Sequence, residues 1–377
     1  MYIEKMENPR QIGEGTYGCV FYPGISCNGQ PEKTKYVTKI QIQDETSKNE
    51  ETIGEYIKKT KKNYSDYFAP IISSCPLKLA SIKKDMIENC EVMRKNTDKE
   101  FVSVKIKYAG KQTLKEYFNR LLSTYNSSFL FKVVETQMYL LNSLKVLGEL
   151  KIIHFDLKQN NILFHETKQN PVIIDFGMSI MLDKLKDLEY HKYFFKHYEK
   201  YPPWCTEIML ISYLVRKPTW GKTNITKKDV KNMQTLVKRY YETNPTIRLV
   251  QNQNQNQNPT KTIQSYWEKT ITETANKKTK TVVESLLKHW STWDTYSLMV
   301  IYYRYMKSEE AKSIQSAPFI DRYWKLLEEY ILSEPKDRKS PLEMITQLKE
   351  YMNNIQRKEF LEWNQKQTDS MRRRRRQ

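Results

Sequence analysis

The spacing of apolar residues changes character along the chain. Up to about residue 108 the apolar runs are short and strand-like: one on each side of Ile12–Val20, then Val37 and Ile40 around Lys39, then FAPIISSC and FVSVKIKYAG. In the last of these, Phe101, Val104 and Ile106 are read as alternating with polar residues, the period of a half-buried strand. Asn28-Gly29 and Pro31 are turn signals that fit a long hairpin between two strands. One helix interrupts this region: residues 44–62 put Glu50, Ile53 and Ile57 on a common side. Beyond residue 109 helices dominate. From Phe129 to Leu150, Val133, Val134, Leu140, Leu141, Leu144 and Leu147 form one apolar side, and a β-branched run, VIID, ends at Asp175. The pattern predicts an α+β chain, β-rich first and helical afterwards.

Composition narrows this picture. With 377 residues, 39% of them hydrophobic and 28% charged, the chain is long enough for two or three packed units. The net charge of +19 favours acidic surfaces, such as nucleic acid, anionic lipid or an acidic protein, without selecting one. Five cysteines, odd in number and without a CxxC pair, suggest neither a disulfide framework nor a zinc site, so reduced, intracellular thiols are expected. The first residues lack the apolar region of a signal peptide, and no apolar run reaches the length of about 18 residues that a membrane span needs. Glycine is scarce, ten in all, yet three fall at Gly13, Gly15 and Gly18.

That clustering has a chemical reading. Glycines in IGEGTYGCV let a hairpin backbone approach phosphates with no Cβ in the way and with N–H groups able to donate. The stretch HFDLKQNNILFHETKQNPVIIDFG adds a carboxylate at Asp156, a lysine at Lys158, an amide at Asn161 and a second carboxylate at Asp175. Phosphoryl transfer calls for such a set, because catalysis there consists of positioning a hydroxyl, holding Mg²⁺ and neutralising charge on the transferred group.

These motifs resemble those of eukaryotic-type protein kinases. HFDLKQNN is similar to the H-R-D-L-x-x-x-N catalytic loop, with Phe155 in place of arginine, DFG is intact, GxGxxGxV is complete to Val20, and VTKI resembles V-A-I-K with Thr38 for alanine. PPWCTE resembles A-P-E, which leaves Glu207 to pair with Arg338 of EPKDRKSP, and WDTYSLMV contains an aspartate, Asp294, at the place that supports the catalytic-loop backbone. The resemblance covers residues 11 to about 207 and 290–352. It implies a bilobal protein-kinase-like fold: a small β-rich N-lobe over 1–108, a larger helical C-lobe over 109–352 with an insertion at about 208–290, and a basic tail over 353–377.

The resemblance also implies roles. ATP lies under Ile12, Gly13, Glu14, Gly15, Thr16, Tyr17, Gly18, Cys19 and Val20, with Lys39 on its α- and β-phosphates; a helix glutamate orients Lys39, with Glu50 preferred over Glu51 and Glu55. Tyr108-Ala109-Gly110 is the hinge against the adenine edge. Asn161 and Asp175 hold Mg²⁺, Asp156 is the base for a protein Ser or Thr hydroxyl, and Lys158 steadies the γ-phosphate. Phe155 removes the arginine that senses phosphate on the activation segment, so activity is expected not to depend on phosphorylation there. The competing readings are a pseudokinase scaffold, a small-molecule phosphotransferase, which Gly177, Glu207 and Arg338 argue against, and a nucleic-acid-binding protein, supported by charge alone.

Two segments fall outside the motifs. The insertion contains the polar tract QNQNQNQNP at 251–259, expected not to order, flanked by Lys-rich helical segments with Trp220, Tyr240, Tyr241 and Trp267; it either recruits substrate or regulates access to it, or is a surface excursion. The tail carries Arg372–Arg376 and is read as a solvated end able to make nonspecific nucleic-acid contacts. Low glycine, abundant Lys, Asn, Gln, Tyr and Ile, the YFAPI segment and the insertion are similar to the divergent Ser/Thr kinases of large cytoplasmic DNA viruses. That narrower resemblance implies action in host cytoplasm, packaging in virions, and basic or virion-associated protein substrates.

Overall fold

The computed structural model describes residues 8–15, 18–31, 36–124, 128–185, 190–194, 200–253, 259–314 and 317–374. The chain is mixed α+β, 58% helical, with its five-stranded antiparallel sheet in the N-terminal region and a mostly helical C-terminal part. It divides into two compact units, residues 1–114 together with 160–179, and residues 115–159 together with 180–377.

The first unit is built on strands β1 (Arg10–Gly15), β2 (Gly18–Tyr22), β3 (Tyr36–Ile42), β4 (Ile71–Leu77) and β5 (Phe101–Lys107), in the order β1-β2-β3-β5-β4. β5 corrects the simple alternation expected of it. Residues three apart on a strand point to opposite faces, and Phe101 packs with Cys19, Phe21 and Ile40 while Val104 packs with Ile71 and Val102. Both faces of β5 are covered, so its apolar residues need not share one. The helix Glu45–Thr60 starts at a capping box in which Asp44 and Ser47 satisfy each other's backbone N–H. It buries Ser47, Glu50, Ile53, Gly54 and Ile57. A Cβ on Gly54 would stand 2.8 Å from the Ile71 carbonyl, so glycine here lets the helix lie close on β4.

The cysteines overturn the expectation of reduced thiols. Cys19 is bonded to Cys90 and Cys27 to Cys75, both within the first unit, and Cys205 alone is free and buried. The partners lie 71 and 48 residues apart in sequence, so no local spacing could reveal them. The Cys19–Cys90 bond fastens β2 to the short helices Lys84–Asn89 and Glu91–Lys95.

The second unit centres on the helices Phe129–Glu149 and Trp293–Met306, with Pro318–Leu332 and Pro341–Asn353 packed on them. Gln137, fully buried, accepts from the Tyr323 hydroxyl at 2.6 Å, which satisfies a polar group that burial would otherwise penalise. Residues 208–290 are no mere surface excursion. They form the helices Lys227–Thr243, Pro245–Gln253, Lys261–Thr272 and Thr279–Leu287, and they bury Tyr240, Tyr241 and Trp267. The polar tract begins inside one of these helices, and its residues 254–258 lie outside the described residues. The tail also departs from the expected solvated end: it is helical over Arg357–Arg374, with Trp363 buried and its ring 5.4 Å from that of Phe319. Arg375 and Arg376 lie outside the described residues. Among the described residues no helix is long and apolar enough to cross a membrane.

Arg338 and Glu207 form a buried bidentate pair at 2.5 and 3.2 Å, with the guanidinium 4.8 Å from the Tyr296 ring. Replacing Arg338 with Met strands a buried carboxylate, and we expect it to lower unfolding free energy by about 3–5 kcal/mol in urea titrations. Thiol titration in denaturant without reductant should find one thiol per chain, rising to five after reduction. Loss of the Cys19–Cys90 bond in a double Ser variant should cost about 2–4 kcal/mol.

Candidate functional site

Lys39 lies at the middle of β3, opposite Val20 on β2 and Val104 on β5. Its side chain carries a cation into the unit's interior, where a charge requires partners. Two carboxylates provide them: Glu50 Oε2 at 3.1 Å and Asp175 Oδ1 at 3.2 Å. Burial alone would pull the ammonium's pKa down; the two carboxylates more than reverse this and leave Lys39 above the ordinary lysine range. Of the three helix glutamates considered, Glu50 is the one against Lys39. Burial pushes its carboxyl up, against the pull of Lys39.

Two side chains that the motifs did not single out, Gln41 and Asn49, complete this cluster, and Phe176 and Thr38, both within the motifs, secure its surroundings. Gln41 donates from Nε2 to Glu50 Oε2 at 3.2 Å, and its position two residues after Lys39 on the same strand face was a usable signal. Asn49 donates from Nδ2 to the carbonyls of Gly177 and Ser179 at 3.2 and 2.8 Å, joining the helix to the segment after Asp175. Phe176 is fully buried with its ring edge-on to Phe68, centroids 5.9 Å apart. Thr38 exchanges two hydrogen bonds with the Ile25 backbone, at 2.8 and 2.9 Å, so its hydroxyl pins the β2–β3 connection.

Asp175 has φ +66°, a left-handed conformation uncommon outside glycine. The Lys39 contact, the burial of Phe176 and the Asn49 bonds hold the turn in that shape. Asn161, at the end of the 3₁₀ turn Gln159–Asn161, is buried, and its carbonyl accepts from Ile174 N at 3.0 Å, the residue before Asp175. Both candidate metal residues therefore sit in the first unit. An amide oxygen and a carboxylate are hard oxygen donors of the kind Mg²⁺ takes.

In the glycine-rich hairpin the positions behave differently from one another. A Cβ on Gly18 would stand 2.1 Å from the Ile40 carbonyl, so the sheet itself demands glycine. At Gly13 and Gly15 the nearest atoms would be 3.9 and 4.0 Å away, ordinary contacts, so packing makes no such demand. Ile12 is exposed and Val20 half-buried. The Glu14 and Cys19 side chains are engaged within the unit: Glu14 Oε1 accepts from Glu91 N at 2.8 Å, and Cys19 is in its disulfide. Those two positions can contribute backbone only. Thr16 and Tyr17 lie outside the described residues. Just past the end of β5, Gly110 has φ +132°, and a Cβ there would be 2.1 Å from the Phe164 carbonyl. Beside it Ala69, Ala109 and Val172, with Ile106, Leu163 and Ile174, make an apolar patch.

Asp156 and Lys158 belong to the second unit, at the end of its first stretch of chain. Asp294, buried in the helix Trp293–Met306, accepts from His154 N at 2.6 Å and Phe155 N at 3.0 Å and so fixes the loop backbone. Burial pushes the Asp294 carboxyl up, partly offset by those donors. Lys158 Nζ lies 2.7 Å from Asp156 Oδ2, and the Tyr201 hydroxyl donates to Asp156 Oδ1. Phe155 is buried with φ +69°, its ring 4.9 Å from Trp204 and 5.4 Å from Phe194. Trp204 Nε1 donates to the Phe155 carbonyl at 2.8 Å. Ring contacts, the indole bond and the Tyr201–Asp156 bond thus tie Phe194, Trp204 and Tyr201 to the loop.

A scan against protein-family models and a search of curated protein sequences found no match to this chain.

The glycines offer a clean separation of folding from other roles. Gly110→Ala and Gly18→Ala should each cost more than about 2 kcal/mol of stability, whereas Gly13→Ala and Gly15→Ala should change it by less than about 1 kcal/mol. Thermal denaturation of the four purified variants checks this.

Proposed function

We propose that the protein is an ATP-dependent serine/threonine protein kinase with a protein-kinase-like fold. The observation that carries the reading is the Lys39 ammonium held between Glu50 and Asp175 on the strand beside the glycine hairpin. A cation pinned between two carboxylates is preset to meet phosphate oxygens without reorganising, the condition under which electrostatic stabilisation is strongest. Gly13 and Gly15 support the same reading, since packing does not require glycine at either position.

In this mechanism the hairpin backbone donates N–H groups to the phosphates of ATP, and Lys39 neutralises the α- and β-phosphates. Asn161 and Asp175 would hold Mg²⁺, which when bound neutralises charge on the phosphates. Asp156, fixed by Asp294 through the loop backbone, accepts the proton of a protein Ser or Thr hydroxyl as its oxygen attacks the γ-phosphorus, the bond from that phosphorus to the β,γ-bridging oxygen breaks, and ADP leaves. Lys158 balances charge on the transferred group. Gly110 and the patch around Ile106 and Ala109 receive the adenine edge. The aromatic contacts of Phe155 with Phe194 and Trp204 replace the phosphate-sensing arginine, so activity does not depend on a phosphorylated residue in 178–206. Two disulfides favour an oxidising setting such as a virion over a thiol-reducing cytosol.

The test is phosphotransfer from labelled ATP to general protein substrates with Mg²⁺. Asp156→Asn and Lys39→Met should lower kcat by roughly 10²–10⁴-fold, and Gly13→Ala should raise the KM for ATP. Phosphatase pretreatment should leave the wild-type rate unchanged. Equal activity of wild type and both charge variants overturns the assignment.

A further inference from the structure

The strongest unassigned feature is the occupant of Asp156. This carboxylate is only 7% exposed, and residues of its own unit engage both of its oxygens: Lys158 on Oδ2 at 2.7 Å and the Tyr201 phenol on Oδ1. A general base must accept a hydrogen bond from the hydroxyl it deprotonates. Both oxygens are thus engaged, and Oδ1 is the one held by an uncharged donor that a substrate hydroxyl can replace like for like. In so buried a carboxylate an incoming hydroxyl competes with the phenol instead of adding beside it.

The phenol is presented by a firmly held backbone. The Tyr201 carbonyl accepts from Asn244 Nδ2 at 3.4 Å, the Pro203 carbonyl from Ser297 Oγ at 2.7 Å, and the Trp204 carbonyl from Tyr240 Oη at 3.0 Å. Two of those donors, Asn244 and Tyr240, lie in segment 208–290 and are buried. Pro202 and Pro203 restrict the chain between them. The Tyr201 ring rests edge-on against Trp204, centroids 5.1 Å apart. With the backbone anchored at three nearby carbonyls, release of Asp156 requires rotation of one side chain and no melting of the segment.

We propose that Tyr201 is an internal competitor of the protein substrate. Its hydroxyl takes the place of the substrate hydroxyl on Asp156 in the resting protein, and the helices of segment 208–290 hold it there. This rests on the phosphotransfer reading above. An internal competitor raises the apparent KM for the hydroxyl-bearing substrate by the factor with which it favours the occupied state, and it leaves kcat untouched once substrate is saturating. A residue that merely shaped the loop would lower kcat when altered.

The experiment measures steady-state kinetics of the full chain on a serine peptide at saturating ATP and Mg²⁺, for wild type, Tyr201→Phe and Lys39→Met. Phenylalanine keeps the ring on Trp204 and removes only the hydroxyl. Tyr201→Phe should lower the peptide KM roughly tenfold, the order of one hydrogen bond to a charged acceptor, with kcat and the KM for ATP changed by less than about twofold. If Lys39→Met abolishes transfer but Tyr201→Phe leaves the peptide KM unchanged or raised, or lowers kcat, the competitor role is wrong and the kinase reading stands. If wild type and Lys39→Met transfer phosphate equally, both fall.

Discussion

A lysine ammonium drawn out of water is the constraint on which the first unit depends. Desolvation disfavours the charged form, and Glu50 and Asp175 more than offset it, which leaves Lys39 above the ordinary lysine range. Those two acids come from a helix and from a turn far along the chain, so the electrostatic requirement of one residue fastens three pieces of backbone to one another. The remaining contacts follow from it. Glu50 needs a second donor, which Gln41 supplies, and Asp175 can take its left-handed conformation because Phe176 and Asn49 secure the residues after it.

The second unit solves a related problem with backbone donors and rings. Asp294 is buried without a cation bonded to it in the described contacts, and two peptide N–H groups of the loop before Asp156 hold its charge. The loop is thereby tied to the helix Trp293–Met306. Phe155 then turns its ring into the cluster with Phe194 and Trp204, in a conformation that costs energy for a residue with a Cβ, and the burial of three aromatic side chains offsets that cost. The contacts of an aromatic cluster do not titrate and are not screened by salt, so this attachment does not vary with pH or ionic strength.

Residues 208–290 show why composition misleads about packing. Lys-rich helical segments with a Gln/Asn tract between them leave a surface excursion as open as a functional insertion, because polar residues outnumber apolar ones. The few large aromatics decide otherwise: Tyr240 reaches the Trp204 carbonyl and the Tyr296 hydroxyl, at 3.0 and 2.9 Å, from the buried side of an amphipathic helix. The same holds for the tail, where Phe360 and Trp363 dock a helix whose overall composition is strongly polar. In both segments the informative quantity is the spacing of two or three rings.

The sequence by itself determined the order of β-rich and helical regions, the chemically equipped residues and the stripe that carries Glu50, because these depend on local periodicity and on residue type. The glycine spacing, Lys39, Asp156, Asn161 and Asp175 could be read without any coordinates. Tertiary structure decided what depends on distance between remote segments: the pairing of Cys19 with Cys90 and Cys27 with Cys75, the covering of both faces of β5, the meeting of Lys39 with Asp175, and the seating of the Tyr201 hydroxyl on Asp156. The physical reason is the same in each case. A disulfide, a buried ion pair or a hydrogen bond to a carboxylate is specific at the scale of an ångström, and local pattern carries no information about which of many chemically equal partners will be brought that close.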